Sequence, residues 1–207
     1  GDGNSTQSIS TNGSFDPEFA WVKIRSGSWG ADNHVLYDIV RGNGKRLQSN
    51  STSAEADLTS YGNQVAFATG GITVGSTNSG YNGQVNENSN LYVNWNWKAG
   101  GTASTNEEGS IDSSVSANTA AGFSIATYTG DGSAATIGHG LSSAPELVIV
   151  KRRDAASNWI VGSDELQTSY WDYYIILNTT AAEASESSNF GYNTNPTATT
   201  FPLGNNT

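Results

Sequence analysis

The chain has 207 residues, and its nine Lys+Arg against nineteen Asp+Glu give a formal charge of −10, the wrong sign for wrapping a phosphate backbone, so no nucleic-acid partner is expected. It has no cysteine, which excludes disulfides, thiol nucleophiles and thiolate metal sites. No apolar run approaches the ~18 residues that cross a bilayer, and "GDGNSTQSIS" at the start has neither the basic nor the apolar part of a signal peptide, so no membrane insertion is expected.

Short runs of β-branched and aromatic residues alternate with turn-forming clusters, which is the pattern of an all-β sandwich or barrel. In chain order they predict strands near 18–25, 34–40, 64–68, 71–75 and 91–98, then near 111–116, 122–129, 134–138, 146–152, 158–162, 172–178 and 199–203. The Ala- and Glu-rich segments "SAEAD" (53–57) and "TAAEASES" (180–187) are predicted as helical turns. In "NLYVNWNWKAGG", period-two alternation puts Leu91, Val93, Trp95 and Trp97 on one face and Tyr92, Asn94, Asn96 and Lys98 on the other. The apolar face is expected to be the core face, in which case Trp95→Ala would cost about 3 to 5 kcal/mol.

An internal repeat organises the chain. "GDGNSTQSISTNGSFDPEFAWVKIRS" from Gly1 matches "GDGSAATIGHGLSSAPELVIVKRRD" from Gly130, with Val22, Lys23 and Arg25 falling on Val150, Lys151 and Arg153 at a shift of 128. At the same shift "NSTSAEA" (50–56) meets "NTTAAEA" (178–184), and at 129 "ITVGSTN" (72–78) meets "FPLGNNT" (201–207). The strand at 122–129 has no counterpart before Gly1, and the second copy stops before an equivalent of "LYVNWNWKAGG", so the sequence reads as a window on a longer polypeptide. The flexible composition of "KAGGTASTNEEGS" (98–110) places the boundary between a first module, 1–110, and a second, 111–207, incomplete at its C-terminal end.

The phrases "PEFAWVKIRS", "HVLYDIVRGNGKRLQSNSTSAEA", "LYVNWNWKAGG", "SVSANTAAGFSIATYTGDG" and "IGHGLSSAPELVIVKRRD" resemble a repeated module of marine phage tail-fibre-like and other virion-associated proteins, along essentially the whole chain. The resemblance implies two tandem antiparallel β-sandwich modules of the concanavalin-A-like, jelly-roll type. It also implies a structural or host-contacting unit at a virion surface or other extracellular site, within a homo-oligomer and beside other virion proteins, with host surface glycans as the possible ligand. The second copy replaces "LYDIVRGNGKRL" by the shorter "WDYYIIL", so a role of Arg41 cannot be common to both modules.

Chemistry is not expected. Retaining glycosidases need two carboxyl groups ~5 Å apart, yet the acidic pairs Asp16/Glu18, Glu107/Glu108 and Asp164/Glu165 lack the Glu-x-Asp-x-Glu spacing that puts carboxylates on one strand face. The two histidines, His34 and His139, come without a Gly-x-Ser-x-Gly elbow. The Gly-Asp-Gly segments read as tight turns, since calcium needs six to eight oxygens; no catalytic residue, metal or cofactor is assigned. Aromatic residues in polar or Gly-rich surroundings are the candidate ligand contacts: Trp29, Tyr81, Tyr170 and Trp171. Trp29 aligns approximately with Trp159. The Asn-x-Ser/Thr triplets at Asn4, Asn50 and Asn178 read as accidents of composition. The alternative to a fibre module is a carbohydrate-binding module of a secreted bacterial protein.

Overall fold

The computed structural model describes residues 1–12, 15–26, 33–62, 64–75, 84–166, 171–185, 187–190 and 194–205. It is all-β with antiparallel sheets, as a β-sandwich requires, and it divides into two compact units, Gly1–Ala99 and Gly100–Thr207. The division falls ahead of the expected boundary at 110, because residues 100–110 already pair within the second unit.

In unit 1 the strands are β1 (Gln7–Ser10), β2 (Phe19–Ser26), β3 (Val35–Asp38), β4 (Lys45–Gln48), β5 (Ala56–Asp57), β6 (Val65–Ala68), β7 (Gly71–Val74) and β8 (Leu91–Trp97). They form a five-stranded sheet in the order β5-β4-β3-β2-β8 and a three-stranded sheet in the order β1-β7-β6. The core is drawn from both: Ala20, Val22, Val35 and Tyr37 from the first, Val65, Ile72 and Val74 from the second, with Val85 from the segment before β8. Alternation in β2 sends Ala20, Val22 and Ile24 inward and leaves Phe19, Trp21 and Lys23 half-buried on the other side.

Unit 2 contains β9 (Ser104–Asn106), β10 (Ser113–Asn118), β11 (Phe123–Tyr128), β12 (Ala135–Gly138), β13 (Leu147–Lys151), β14 (Trp159–Ser163), β15 (Tyr173–Ile176), β16 (Ala184–Ser185) and β17 (Thr200–Leu203). They form sheets in the orders β11-β10-β9, β12-β17 and β13-β14-β15-β16. Ile137 is fully buried, bridged in parallel by Ile111, and Ile111 and Tyr128 pack on the core around it.

The sequence repeat is also a repeat of hydrogen bonds. The Asn50 side chain accepts from His34 N–H at 2.9 Å and donates to Asn33 Oδ1 at 3.0 Å; Asn178 accepts from Trp159 N–H at 2.8 Å and donates to Asn158 Oδ1 at 2.9 Å. Two of the Asn-x-Ser/Thr side chains thus hold a hairpin end. The match also corrects the alignment of Trp159, which occupies the place of His34. Lys23 Nζ donates to the Ile24 carbonyl and Lys151 Nζ to the Arg152 carbonyl, each at 2.8 Å. The Gly-Asp-Gly segments are turns in both units, with Gly3 at φ 72° and Gly132 at φ 83°, a region open to glycine. Asp2 and Asp131 accept backbone N–H bonds from Asn4 and Ser133, two residues on.

The expected strands all appear within a few residues of their predicted places. The two predicted helical turns do not. Residues 56–57 pair with Lys45 and Arg46 as β5 and residues 184–185 pair with Tyr173 and Tyr174 as β16; the one-turn helices among the described residues come just after these strands, a 3-10 turn at Thr59–Tyr61 and an α-turn at Ser187–Phe190. A sheet edge with open backbone groups outweighs the weak helix preference of a five-residue Ala/Glu segment, because a lone helical turn forms one hydrogen bond at the cost of three ordered residues.

Where unit 1 has a large residue, unit 2 has a gap filled from elsewhere. Tyr37 stands opposite Ala20 in β3, fully buried, its hydroxyl donating to the buried Gln64 side chain. Gly162 holds the matching place opposite Val148 in β14. A Cβ there would sit 2.8 Å from the Trp171 ring and 3.0 Å from the Phe190 ring, which meet edge to face with centroids 5.9 Å apart. Trp171 therefore fills the volume left by the missing side chain. Arg41, which unit 2 lacks, bonds Asp38 and Glu55 and donates to the Leu36 and Lys45 carbonyls, and its side chain is 5% exposed. Its role is to close the β3–β4 turn. Gly162→Ala is expected to lower stability by about 1 to 3 kcal/mol through overpacking against two rings, read as a shift of the denaturation midpoint. An unchanged midpoint would mean that Trp171 does not depend on that space.

Candidate functional site

Unit 1 carries an aromatic row on the outer face of its five-stranded sheet. In the pairing of β2 with β8, Trp21 stands opposite Trp95, Phe19 opposite Trp97 and Lys23 opposite Val93, whereas Ala20, Val22 and Ile24 stand opposite Asn96, Asn94 and Tyr92. Because Ala20 and Val22 are core residues, the asparagine face of β8 points inward and the tryptophan face outward. This reverses the expectation from the sequence: Trp95 is 44% exposed, Trp97 38% and Leu91 56%. Alternation identifies two faces but not which is inside; the partner strand decides that.

The row is held by edge-to-face contacts, the arrangement that ring quadrupoles favour. Trp97 meets Phe19 with centroids 5.4 Å apart, Trp95 meets Trp21 at 6.2 Å, and Trp21 meets His34 at 5.8 Å. Trp21 Nε1–H donates to His34 Nδ1 at 2.9 Å, so His34 accepts at that nitrogen and is neutral there. Burial, helped by the charge on Lys23, pushes the His34 imidazole below its usual value. The result is a fixed patch of indole rings on one sheet face with an imidazole at its end, suited to stacking against a flat apolar face such as that of a sugar ring.

Beneath β8, on the inward side, lies a groove of about 560 Å³ whose lining includes Gln7, Ile9, Val22, Asn90, Tyr92 and Asn94. The Asn90 Nδ2 and Asn94 Oδ1 atoms are buried there without a hydrogen-bond partner. Ile9 is 36% exposed, whereas Ile137 at the matching place of unit 2 is 0% exposed. Ile111, bridged to Ile137, and Tyr128 pack on the core of unit 2.

Of the ligand contacts expected from the sequence, Trp29, Tyr81 and Tyr170 lie outside the described residues. Trp171 is described, and it is corrected: at 5% exposed, packed against Phe190, its ring is part of the core and presents no face to a ligand. Among the described residues Trp21, Trp95 and Trp97 are the exposed or half-exposed indoles; the expectation from the sequence put Trp95 and Trp97 in the core and assigned Trp21 no role. The signal that would have found them is the alternation of β2, where small aliphatics share one face and aromatics the other.

Among the described residues no group of three or more His, Cys, Asp or Glu side chains comes together. Asp2 is taken up by Asn4 and Asn86, and Asp16 by the backbone N–H of Gly70 at 2.7 Å. His139 is buried in a turn: Leu141 N–H donates to its Nδ1 at 3.1 Å, which leaves Nε2–H to donate to the Thr197 carbonyl at 3.2 Å. Burial pushes this imidazole down as well. No helix of the described residues is long and apolar enough to cross a membrane.

Residues 1–207 match the model of a family described as a domain of unknown function (DUF7483), and the chain belongs to that family. No curated protein and no solved structure matches it.

Two outcomes follow from the geometry. Trp95→Ala removes one edge-to-face contact and the burial of about half a ring, so it should cost about 1 to 3 kcal/mol in chemical denaturation, and a loss of about 4 kcal/mol or more would return Trp95 to the core. The two histidines, held below the ordinary value of about 6.5 in the folded chain, take up protons first in the unfolded chain. Thermal stability should therefore be full above pH ~7.5 and fall as the pH drops through 6.5, and replacing both by Gln should flatten that slope between pH ~7.5 and ~5.5. A slope that survives in the double variant would assign it to other groups.

Proposed function

We propose that this member of the DUF7483 family is a structural module of a phage virion, two tandem jelly-roll β-sandwiches of the concanavalin-A-like type in a tail fibre or surface fibre, with no catalytic role. The observation that carries this reading is the repeat itself: matched turns, ladders and side-chain hydrogen bonds in two units. Repeated units of this kind add length, and many symmetric copies convert weak individual contacts into firm adhesion. The acidic, Ser/Thr/Asn-rich surface suits solubility at high local copy number.

Adhesion is assigned to the outer aromatic face of unit 1, with host surface glycans as ligand. Trp21, Trp95 and Trp97 supply stacking surface, and His34 and Lys23 supply polar groups at its border. The same face favours, as the second reading, a carbohydrate-binding module of a secreted bacterial protein. The two readings share the site and differ in the particle that carries it.

Antibodies against the chain should decorate intact phage particles in electron microscopy, and labelling confined to bacterial culture supernatant would favour the secreted module. Multimerised chain should bind glycan arrays or host cells, and Trp95→Ala with Trp97→Ala should reduce that binding at least ~tenfold while far-UV circular dichroism stays unchanged. Binding that survives the double substitution would remove this face from the proposal.

A further inference from the structure

One contact of the aromatic face involves a titratable group. Trp21 Nε1–H donates to His34 Nδ1 at 2.9 Å, so that nitrogen is unprotonated and the hydrogen of the neutral imidazole sits on Nε2. The two rings meet with centroids 5.8 Å apart and planes 74° apart. Contact runs through the indole N–H, at the positive edge of the ring and away from its π face. An indole nitrogen is a donor only, so the bond cannot re-form with its direction reversed.

The surroundings of His34 favour its neutral form. Its backbone N–H donates to Asn50 Oδ1 at 2.9 Å and its carbonyl accepts from Ser49 N–H at 3.2 Å, so the end of β4 presents Gln48, Ser49 and Asn50 here, none of them titratable. Burial, and then the charge of Lys23 on β2, hold the imidazole below its ordinary value, and β8 sets the uncharged Val93 opposite Lys23. Asp32, two residues earlier in the chain, lies outside the described residues. Unit 2 fills the same two places without an ionisable group: Ile149 stands where Trp21 does, and Trp159, opposite Lys151 and buried, stands where His34 does. Packing alone therefore does not require a histidine. His139, the other imidazole, has both ring nitrogens engaged by backbone groups.

We infer that the Trp21–His34 bond is an acid-sensitive latch on the aromatic face of unit 1, so that adhesion through Trp21, Trp95 and Trp97 is regulated by protonation of His34. With His34 neutral, the bond fixes the Trp21 ring, against which Trp95 rests edge to face at 6.2 Å. A proton from solvent can enter the neutral ring only at Nδ1, the nitrogen that accepts the indole hydrogen. Imidazolium and indole then present N–H to N–H, and Lys23 adds a like charge. The bond is lost, Trp21 leaves its fixed position, and the row loses its support. Adhesion is full at neutral pH and declines as acid protonates His34. The effect on adhesion rests on the glycan-binding reading of this face, whereas the latch is a property of Trp21 and His34 alone.

The test uses the full ¹⁵N-labelled chain carrying His139→Gln, which leaves His34 as its one histidine. The Trp21 Nε1–H resonance, identified by its absence in Trp21→Phe, should move with the same midpoint as the His34 ring nitrogens between pH ~7.5 and ~5, and Asp32→Asn should keep the two coupled. In His34→Gln, whose Oε1 accepts the indole hydrogen at every pH, the resonance should stay fixed. Binding of the multimerised chain to glycan arrays or host cells should fall ~threefold to ~tenfold over the same range. That dependence should vanish in His34→Gln, with far-UV circular dichroism unchanged. A Trp21 resonance indifferent to the His34 titration, or a pH dependence of binding that survives His34→Gln, would overturn the inference. A coupled resonance without binding at any pH would keep the latch and remove the adhesive reading; binding beside an uncoupled resonance would do the reverse.

Discussion

The constraint on which unit 1 depends is the two-sidedness of β2. A strand must send alternate side chains to opposite faces, and β2 has small aliphatics at Ala20, Val22 and Ile24 and large rings or a long cation at Phe19, Trp21 and Lys23. The small set packs against the three-stranded sheet, where Ile72 and Val74 close the core. Once that is fixed, the faces of β3 and β8 are fixed with it, since paired residues share a side of the sheet. The exposed tryptophans, the Trp21–His34 bond and the groove beneath β8 all follow from this choice.

Unit 2 solves the same packing problem with different parts. The strand after β13 brings Gly162 where unit 1 brings Tyr37, and a tryptophan from outside the ladder, with Phe190, fills the space. A buried tyrosine with a hydrogen-bonded hydroxyl is thereby exchanged for an edge-to-face aromatic pair. Backbone pattern and turn side chains are kept between the units, while core side chains vary as long as volume is kept. The Asn50 and Asn178 bonds persist because they satisfy backbone N–H groups at a hairpin end, which few other side chains reach.

The edges distinguish the units more than the cores do. Unit 1 covers one edge of its larger sheet with β8 and leaves Ile9 partly exposed beside a groove; unit 2 covers the matching Ile137 with Ile111.

Much of the fold was legible in the sequence. The all-β class, the places of the principal strands, the Gly-Asp-Gly turns and the repeat at a shift of 128 come from local signals, namely β-branched runs, turn residues and self-similarity, which hold whatever the surroundings. The candidate site was not legible. Tertiary structure alone decided that Trp95 and Trp97 face outward, that Trp171 is core, and that the Ala/Glu segments are edge strands. Each of these depends on what lies across a sheet or beyond a neighbouring strand. Alternation along one strand is symmetric between its two faces, and only the second sheet, packed on one of them, breaks that symmetry.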